Sequence, residues 1–247
     1  MGDEELAEIC GIHAGDGYLR NKNYNRELDI SGSIEEKVYY EENVIPLFSR
    51  VFGIEVKGRV FPSRGTYGFV IRERQVIEKL HELGFPYGKK SQTVRIPEFI
   101  YKTKNMGIKS AFLRGLFDTD GSIYFQKKTG TAYCEFKRTH HFYPVITMIT
   151  TSISLHEGTK KLLNEFRIKN WTDKRIYRNS NWADAYRILV KGTQVINWMN
   201  KIGISNQVKL SRFEIWRVYG HCPSKTSYAE RLSILAGKIK IDNGPVA

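Results

Sequence analysis

The chain has 247 residues, 39 Lys and Arg against 26 Asp and Glu, and a formal net charge of +13 with a sequence pI near 9.6. It is long enough for one large domain or two smaller ones. Its 14 Tyr, 13 Phe and 4 Trp exclude a merely basic disordered tail, and its charge points to a polyanionic partner, most simply nucleic acid.

The three cysteines, Cys10, Cys134 and Cys222, are far apart and odd in number, which argues against a disulfide framework. Cys134 with His140 and His141, or His221 with Cys222, offers zinc-type donors without any CxxC spacing. No apolar run reaches membrane-spanning length, and the N-terminus is acidic, unlike a secretory signal. Leu6 stands where myristoylation wants Ser or Thr. A soluble intracellular protein is expected.

Asp3 can cap a helix through about residue 15, with Leu6, Ile9, Cys10 and His13 on one face. His13 on that stripe reads as a packed core residue. Segments 18–22 and 27–31 read as a hairpin, followed by a helix over about 35–52 closed by Gly53. A second hairpin, 56–61 and 66–72, turns around Pro62 to Gly65, and a helix over 74–83 is stopped by Gly84 and Pro86. Residues 88–107 are basic and polar, and their end reads as a linker. A new helix starts near Ile108, and the order of elements then repeats: strands near 122–126 and 131–152, a helix at 157–166, strands at 171–178 and 184–190, and helices at 193–201 and 207–219. Residues 220–247 carry a weak helical pattern and a tail.

Residues 112–125 organise this arrangement. An apolar helix (Phe112, Leu113, Leu116, Phe117) runs into Asp118 and Asp120, Gly121 ends it, and Ile123, Tyr124 and Phe125 follow as a strand. A weaker copy spans residues 9–19 and ends in Asp16-Gly17. Each copy has a mid-helix glycine, Gly11 or Gly115, which is tolerated where another backbone comes close. Two helices packed through these glycines would bring Asp16 and Asp120 together. Carboxylates at helix C-termini are unfavourable. A divalent cation held by carboxylates and backbone carbonyls removes the conflict and suits phosphodiester hydrolysis. For one copy alone, a simple Asp-Gly turn explains the pattern equally well. An EF-hand does not fit, because it needs a third ligand before its glycine and a later Glu.

The duplication is also visible downstream. Segments beginning at Tyr67 and Tyr186 stay in step at a constant offset of 119 residues, through Gln75 and Gln194 to Gly84 and Gly203. The same offset pairs Lys90 with Lys209. The two acids are offset by 104, so the second copy holds about 15 extra residues, expected in its first hairpin around 127–144.

Together these features resemble the single-chain, two-motif form of the LAGLIDADG homing endonuclease family. Residues 113–121 match the nine-letter motif closely; residues 9–17 depart from it at His13, Ala14 and Gly15 but keep Asp16-Gly17. The resemblance covers about residues 3–219 and implies an α+β fold of two pseudo-symmetric αββαββα repeats. It divides the chain into a repeat at 1–101, a linker at 102–107, a repeat at 108–219 and a C-terminal extension at 220–247. It implies Mg2+ or Mn2+ on Asp16 and Asp120 with the carbonyls of Gly15 and Thr119, and Ca2+ that binds without supporting cleavage. Asp118 takes the structural acid's place in the motif. The basic residues near the scissile phosphates would be Lys90 and Lys209, with Glu36 and Lys37 in the region that positions water.

The resemblance further implies curved antiparallel sheets laid into the DNA major groove. Alternation then turns Leu19, Leu28 and Ile30 inward and Tyr18, Arg20, Glu27 and Asp29 toward DNA. The other chosen contacts are Lys57, Arg59, Arg64, Tyr124, Gln126, Lys128, Lys137, Arg175 and Arg178. Arg and Lys read guanine or phosphate and Gln reads adenine. The expected activity is double-strand cleavage at a long, nearly palindromic site by a monomer. A free-standing, intron-encoded protein is favoured over an intein-borne one, since Met1 is no splicing nucleophile and the C-terminus lacks His-Asn. The alternative is a non-catalytic relative that binds DNA or intron RNA, such as a maturase.

Overall fold

The computed structural model describes residues 2–22, 25–127, 142–177 and 183–241. Helix α1 (Asp3–Asp16) leads into β1 (Gly17–Lys22) and β2 (Asn25–Ser33). A helical stretch follows, built from a 3-10 turn (Ile34–Glu36), α2 (Lys37–Tyr39), a π-helical turn (Tyr40–Val44) and α3 (Ile45–Phe52). Then come β3 (Arg59–Phe61), β4 (Thr66–Ile71), α4 (Arg74–Glu82) and α5 (Glu98–Lys102). The second repeat holds α6 (Met106–Asp120), β5 (Gly121–Lys127), β6 (Phe142–Thr150), α7 (Ile153–Glu165), β7 (Trp171–Arg175), β8 (Ala185–Lys191), α8 (Thr193–Lys201) and α9 (Gln207–Tyr219). A last helix, α10 (Tyr228–Leu235), begins with a capping box between Ser227 and Glu230.

The two sheets have the same antiparallel order, β1-β2-β4-β3 and β5-β6-β8-β7. The register puts Leu28 opposite Ile71 and Ile30 opposite Phe69, all buried toward the helices. In the second sheet Ile146 pairs with Val190 and Met148 with Ile188 on the inner face. Phe48 of α3 meets Phe69 edge-on at 5.1 Å, and Trp198 of α8 meets Phe117 at 5.3 Å. His13 is fully buried against Phe85 at 4.5 Å, and burial holds its pKa well below the ordinary value. It occupies the place in α1 that Phe117 occupies in α6, which explains an apolar environment around an imidazole.

Several boundaries differ from the sequence reading. The strand expected from residue 56 starts at Arg59. Gly58 lies under Tyr67, where a Cβ would sit 2.3 Å from the phenol oxygen, and Lys57 stays exposed ahead of the ladder. Helix α7 starts four residues early because the Ser152 hydroxyl caps it, accepting from the Leu155 amide. Helix α6 starts at Met106 because Asn105 caps Gly107, so the segment joining α5 to α6 is only 103–105. Strand β6 starts at Phe142 among the described residues. The registers close β1–β2 at Lys22 and Asn25 but β5–β6 at Lys127 and Phe142, so the second copy's extra length lies in its first hairpin.

Helices α1 and α6 pack backbone to backbone at the centre of the molecule. A Cβ on Gly11 would lie 2.2 Å from the Phe112 carbonyl oxygen, and one on Gly115 would lie 2.4 Å from that of Glu8. Arg114 closes the contact by gripping both carboxylate oxygens of Glu8, at 3.1 and 2.6 Å. Gly115→Ala should gain about 1 kcal/mol of helix propensity yet lose stability overall by about 2 kcal/mol, because the helices must separate. Thermal melting checks this; an unchanged or raised melting temperature contradicts the packing.

Candidate nuclease site at the paired helix ends

Close packing at Gly11 and Gly115 carries the C-terminal ends of α1 and α6 to one place. A Cβ on Gly15 would touch the Thr119 hydroxyl and lie 3.3 Å from Asp120 Cγ, so the first helix ends directly beside the second acid. Asp16 is half-buried. Desolvation, with Asp120 and Glu36 nearby, pushes its carboxyl up to about 7, against the hydrogen bond from Tyr40 and the charge of Lys209. Asp120 is exposed to solvent, although the surrounding protein still partly desolvates its carboxyl. Its pKa is raised by that desolvation and lowered by Lys90 and Lys209.

Each helix end also receives one ammonium group. Lys90 Nζ donates to the carbonyls of Ala14 at 2.8 Å and Gly15 at 2.6 Å. Lys209 Nζ donates to those of Phe117 at 3.1 Å and Thr119 at 2.6 Å. The repeat offset thus places the two lysines in matching positions. Both neutralise the negative end of a helix dipole. Burial lowers the Lys90 pKa, opposed by Asp120 and Asp16.

The acids have unequal surroundings. On the Asp16 side, Tyr40 donates to Asp16 Oδ2 at 2.6 Å. A Cβ on Gly32 would lie 2.8 Å from that oxygen, 2.9 Å from the Tyr40 hydroxyl and 3.2 Å from Glu36 Oε2, so all three converge where a side chain is missing. Glu36 Oε1 accepts from Asn206 Nδ2 at 2.8 Å and lies 3.7 Å from Lys209 Nζ. On the other side, Leu116, Met148, Ile149, Leu155 and Thr159 line a small cavity with Asp120. Lys37 turns away from the acids, with Glu41 at 3.6 Å and the Tyr67 ring beneath it. Asp118 is fully buried at the start of α9. It accepts from the Ser205 amide at 2.9 Å, and its carbonyl takes Asn206 Nδ2 at 2.8 Å. Desolvation pushes its carboxyl up to about 7.

Tyr40 is the contact that sequence reasoning missed. It is fully buried and opens the π-helical turn, whose extra residue breaks ordinary helical periodicity. Tyr40→Phe removes a hydrogen bond that favours the Asp16 carboxylate, so the Asp16 pKa should rise further. Metal binding at neutral pH should then weaken severalfold and recover at higher pH. Calcium titration across pH 6–9 measures this, and a pH profile identical to wild type contradicts it.

The outer sheet faces carry most of the chosen surface residues. Tyr18, Arg20, Arg59, Arg64, Tyr124, Gln126 and Arg175 are exposed, and Glu27 and Asp29 are half-buried on the face opposite Leu19, Leu28 and Ile30. The carboxylates are held by arginines: Arg20 to Glu27 at 3.2 Å, Arg72 to Glu27 at 2.7 Å and Arg64 to Asp29 at 2.9 Å. Arg72 and Arg187 share these faces and were missed; the 2.5 Å Arg187–Asp173 pair joins β8 to β7. Lys128, Lys137, Arg178 and Cys134 lie outside the described residues. The second sheet's outer face is more apolar, with Tyr143, Val145 and Leu189 buried on it.

Among the described residues no helix is long and apolar enough to cross a membrane, and no group of three or more His, Cys, Asp or Glu side chains has metal-site spacing. Two carboxylates with neighbouring carbonyls still fit magnesium, which is commonly bound through one or two carboxylates with waters and substrate phosphates.

The LAGLIDADG-like domain family matches residues 107–203. A structure of mesophilic variants of the homing endonuclease I-DmoI superposes with a TM-score of 0.55 at 16% identity, over 81% of this chain and 96% of that one. I-DmoI in complex with DNA and Mn gives 0.55 at 15% identity, over 81% and 97%. Among curated proteins, a replication factor C small subunit of Methanocaldococcus jannaschii is 26% identical over 85% of this chain. A tRNA-splicing ligase RtcB of Pyrococcus furiosus is 28% identical over 80%. The chain spans only 10% and 21% of those relatives' lengths. Residues 107–203 thus match a LAGLIDADG-like domain, and the two-repeat fold seen in the homing endonuclease I-DmoI extends over most of the chain.

Proposed function

We propose that this protein is a site-specific, metal-dependent DNA endonuclease that cuts both strands of a long, nearly palindromic site as a monomer. The observation that carries this reading is the pairing of two carboxylates, Asp16 and Asp120, at abutting helix ends, each end furnished with its own lysine. Asp16 and Asp120, with the carbonyls of Gly15 and Thr119, would hold Mg2+ or Mn2+, and Ca2+ would bind without supporting cleavage. When bound, such an ion supplies Lewis-acid activation of water and of the phosphate. Lys90 and Lys209 offset the charge that grows on the phosphates during attack. Glu36, fixed by Asn206, orients water on the Asp16 side.

The outer faces hold the duplex. Tyr18, Arg20, Lys57, Arg59, Arg64, Tyr124, Gln126 and Arg175 are the contacts of this reading, with Lys128, Lys137 and Arg178 as further candidates and Glu27 and Asp29 orienting the arginines. Arginine recognition of guanine and ammonium contacts to phosphate suit a chain of net charge +13. The curated relatives share one segment within proteins of unrelated names. This supports a self-contained module carried among hosts, and intron encoding is the form proposed here.

A second reading, nucleic-acid binding without cleavage, draws on the apolar neighbours of Asp120, where no counterpart of Glu36 stands among the described residues. The deciding experiment incubates the protein with a plasmid carrying the intronless insertion-site sequence, with magnesium or with EDTA. A single magnesium-dependent double-strand cut supports the nuclease. Tight binding without a cut supports the second reading.

A further inference from the structure

Arg231, in the C-terminal segment beyond the second repeat, is unused by the reading above. Its side chain is fully buried. Nε donates to Ser211 Oγ at 2.8 Å, Nη1 donates to the Thr226 carbonyl, and Nη2 reaches the Val208 carbonyl at 3.2 Å and Glu35 Oε1 at 3.3 Å. Ser211 Oγ in turn donates to the Val208 carbonyl at 2.8 Å. Glu35 Oε1 also accepts the Tyr228 amide, which ties the start of α10 to the same carboxylate.

The contacts fall at informative positions. Val208 immediately precedes Lys209, and Glu35 immediately precedes Glu36. Lys209 and Glu36 face each other at 3.7 Å across the two repeats. One guanidinium therefore grips the neighbour of each member of the pair. A fully buried guanidinium with one partly exposed carboxylate at 3.3 Å is a poor device for stability, since apolar side chains of similar size often serve as well or better. A planar fork that fixes several acceptors at once is a good device for geometry. Lys90 is held differently. It sits in a loop, and its backbone carbonyl accepts the Thr93 and Val94 amides.

We propose that Arg231 is a positioning residue for Lys209 and Glu36, so that the C-terminal segment sets the competence of one of the two half-sites. The strand-specific consequence rests on the nuclease reading; the positioning itself does not. Removing the fork lets the first turn of α9 and the Ile34–Glu36 turn move apart, which changes the Lys209 half-site and spares that of Lys90.

The experiment uses the full-length protein and the variants Arg231→Met, Arg231→Lys and Glu35→Gln. Competitive acetylation with acetic anhydride, read by mass spectrometry, reports the exposure of each lysine without any cleavage. Lys209 should react severalfold faster in Arg231→Met and Glu35→Gln, with Lys90 unchanged and partial recovery in Arg231→Lys. On the duplex that the wild type cuts, labelled on each strand in turn, Arg231→Met should slow one strand at least tenfold and the other less than twofold, leaving nicked product. The slowed strand should be the one that Lys209→Met slows. Should Arg231→Met fail to fold, Glu35→Gln must show the same bias. Equal slowing of both strands, or unchanged Lys209 reactivity in both variants, overturns the positioning role. Changed Lys209 reactivity with no cleavage by the wild type leaves positioning intact and overturns the nuclease reading instead.

Discussion

Asp16→Asn and Asp120→Asn should each lower double-strand cleavage by about a thousandfold or more, while DNA binding measured with Ca2+ or EDTA stays within a few fold of wild type. Asn matches Asp in shape, and at position 16 it still accepts the Tyr40 hydrogen bond, but it cannot supply the carboxylate charge that holds a divalent ion. The same substitution has a stability signature that cleavage assays do not see. The Asp16 carboxyl titrates near 7 in the folded chain against 3.8 ordinarily. Between those values the folded state keeps a proton that the unfolded state releases. Stability of the metal-free protein therefore falls as pH rises through that window, and the loss is complete above it. Asn escapes this penalty. At pH 8 in EDTA, Asp16→Asn should be more stable than wild type by about 1–3 kcal/mol, below the full conversion of the shift because part of Asp16 remains open to solvent. At pH 4 the advantage should vanish. Thermal melts in EDTA across this range test the sign. A variant that cleaves normally, or that is less stable than wild type at pH 8, removes Asp16 from the proposed role.

Much of the architecture could be read from local rules. Gly11 and Gly115 announced a close backbone crossing because a mid-helix glycine has a cost that only proximity offsets. The alternation of Leu28 and Ile30 with Glu27 and Asp29 set the strand faces, and the register agrees with it. The constant offset from Tyr67 to Tyr186 located Lys90 and Lys209, which sit on matching carbonyls at the two helix ends. What escaped was long-range or irregular. Tyr40 reaches Asp16 from a π-helical turn, where regular spacing misplaces side chains. Periodicity likewise cannot tell Glu36, which faces the acids, from Lys37, which faces solvent. Asn206 joins Glu36 to the Asp118 carbonyl across 170 residues of sequence, and Arg231 reaches back from the C-terminal segment. Neither has a local pattern.

The lysines should also compete with the metal they are meant to assist. Each ammonium group occupies a carbonyl, Gly15 or Thr119, that the proposed ion would use, and each places a positive charge beside the two acids. Lys90→Met or Lys209→Met frees one carbonyl and removes one charge, so Ca2+ should bind the DNA-free protein about tenfold more tightly, equivalent to about 1.4 kcal/mol. Cleavage should respond in the opposite direction. Losing the cation beside one phosphate should slow one strand about a hundredfold and leave the other near wild type. The double variant should bind Ca2+ most tightly of all and cut neither strand. The freed carbonyls lie at helix ends that solvent can reach, so each single variant should lose no more than about 1–2 kcal/mol of stability. Calorimetric Ca2+ titration and strand-labelled cleavage are the two measurements. Unchanged or weaker Ca2+ binding would mean that the lysines and the ion occupy different places. Equal slowing of both strands would mean that the lysines do not divide the phosphates between them.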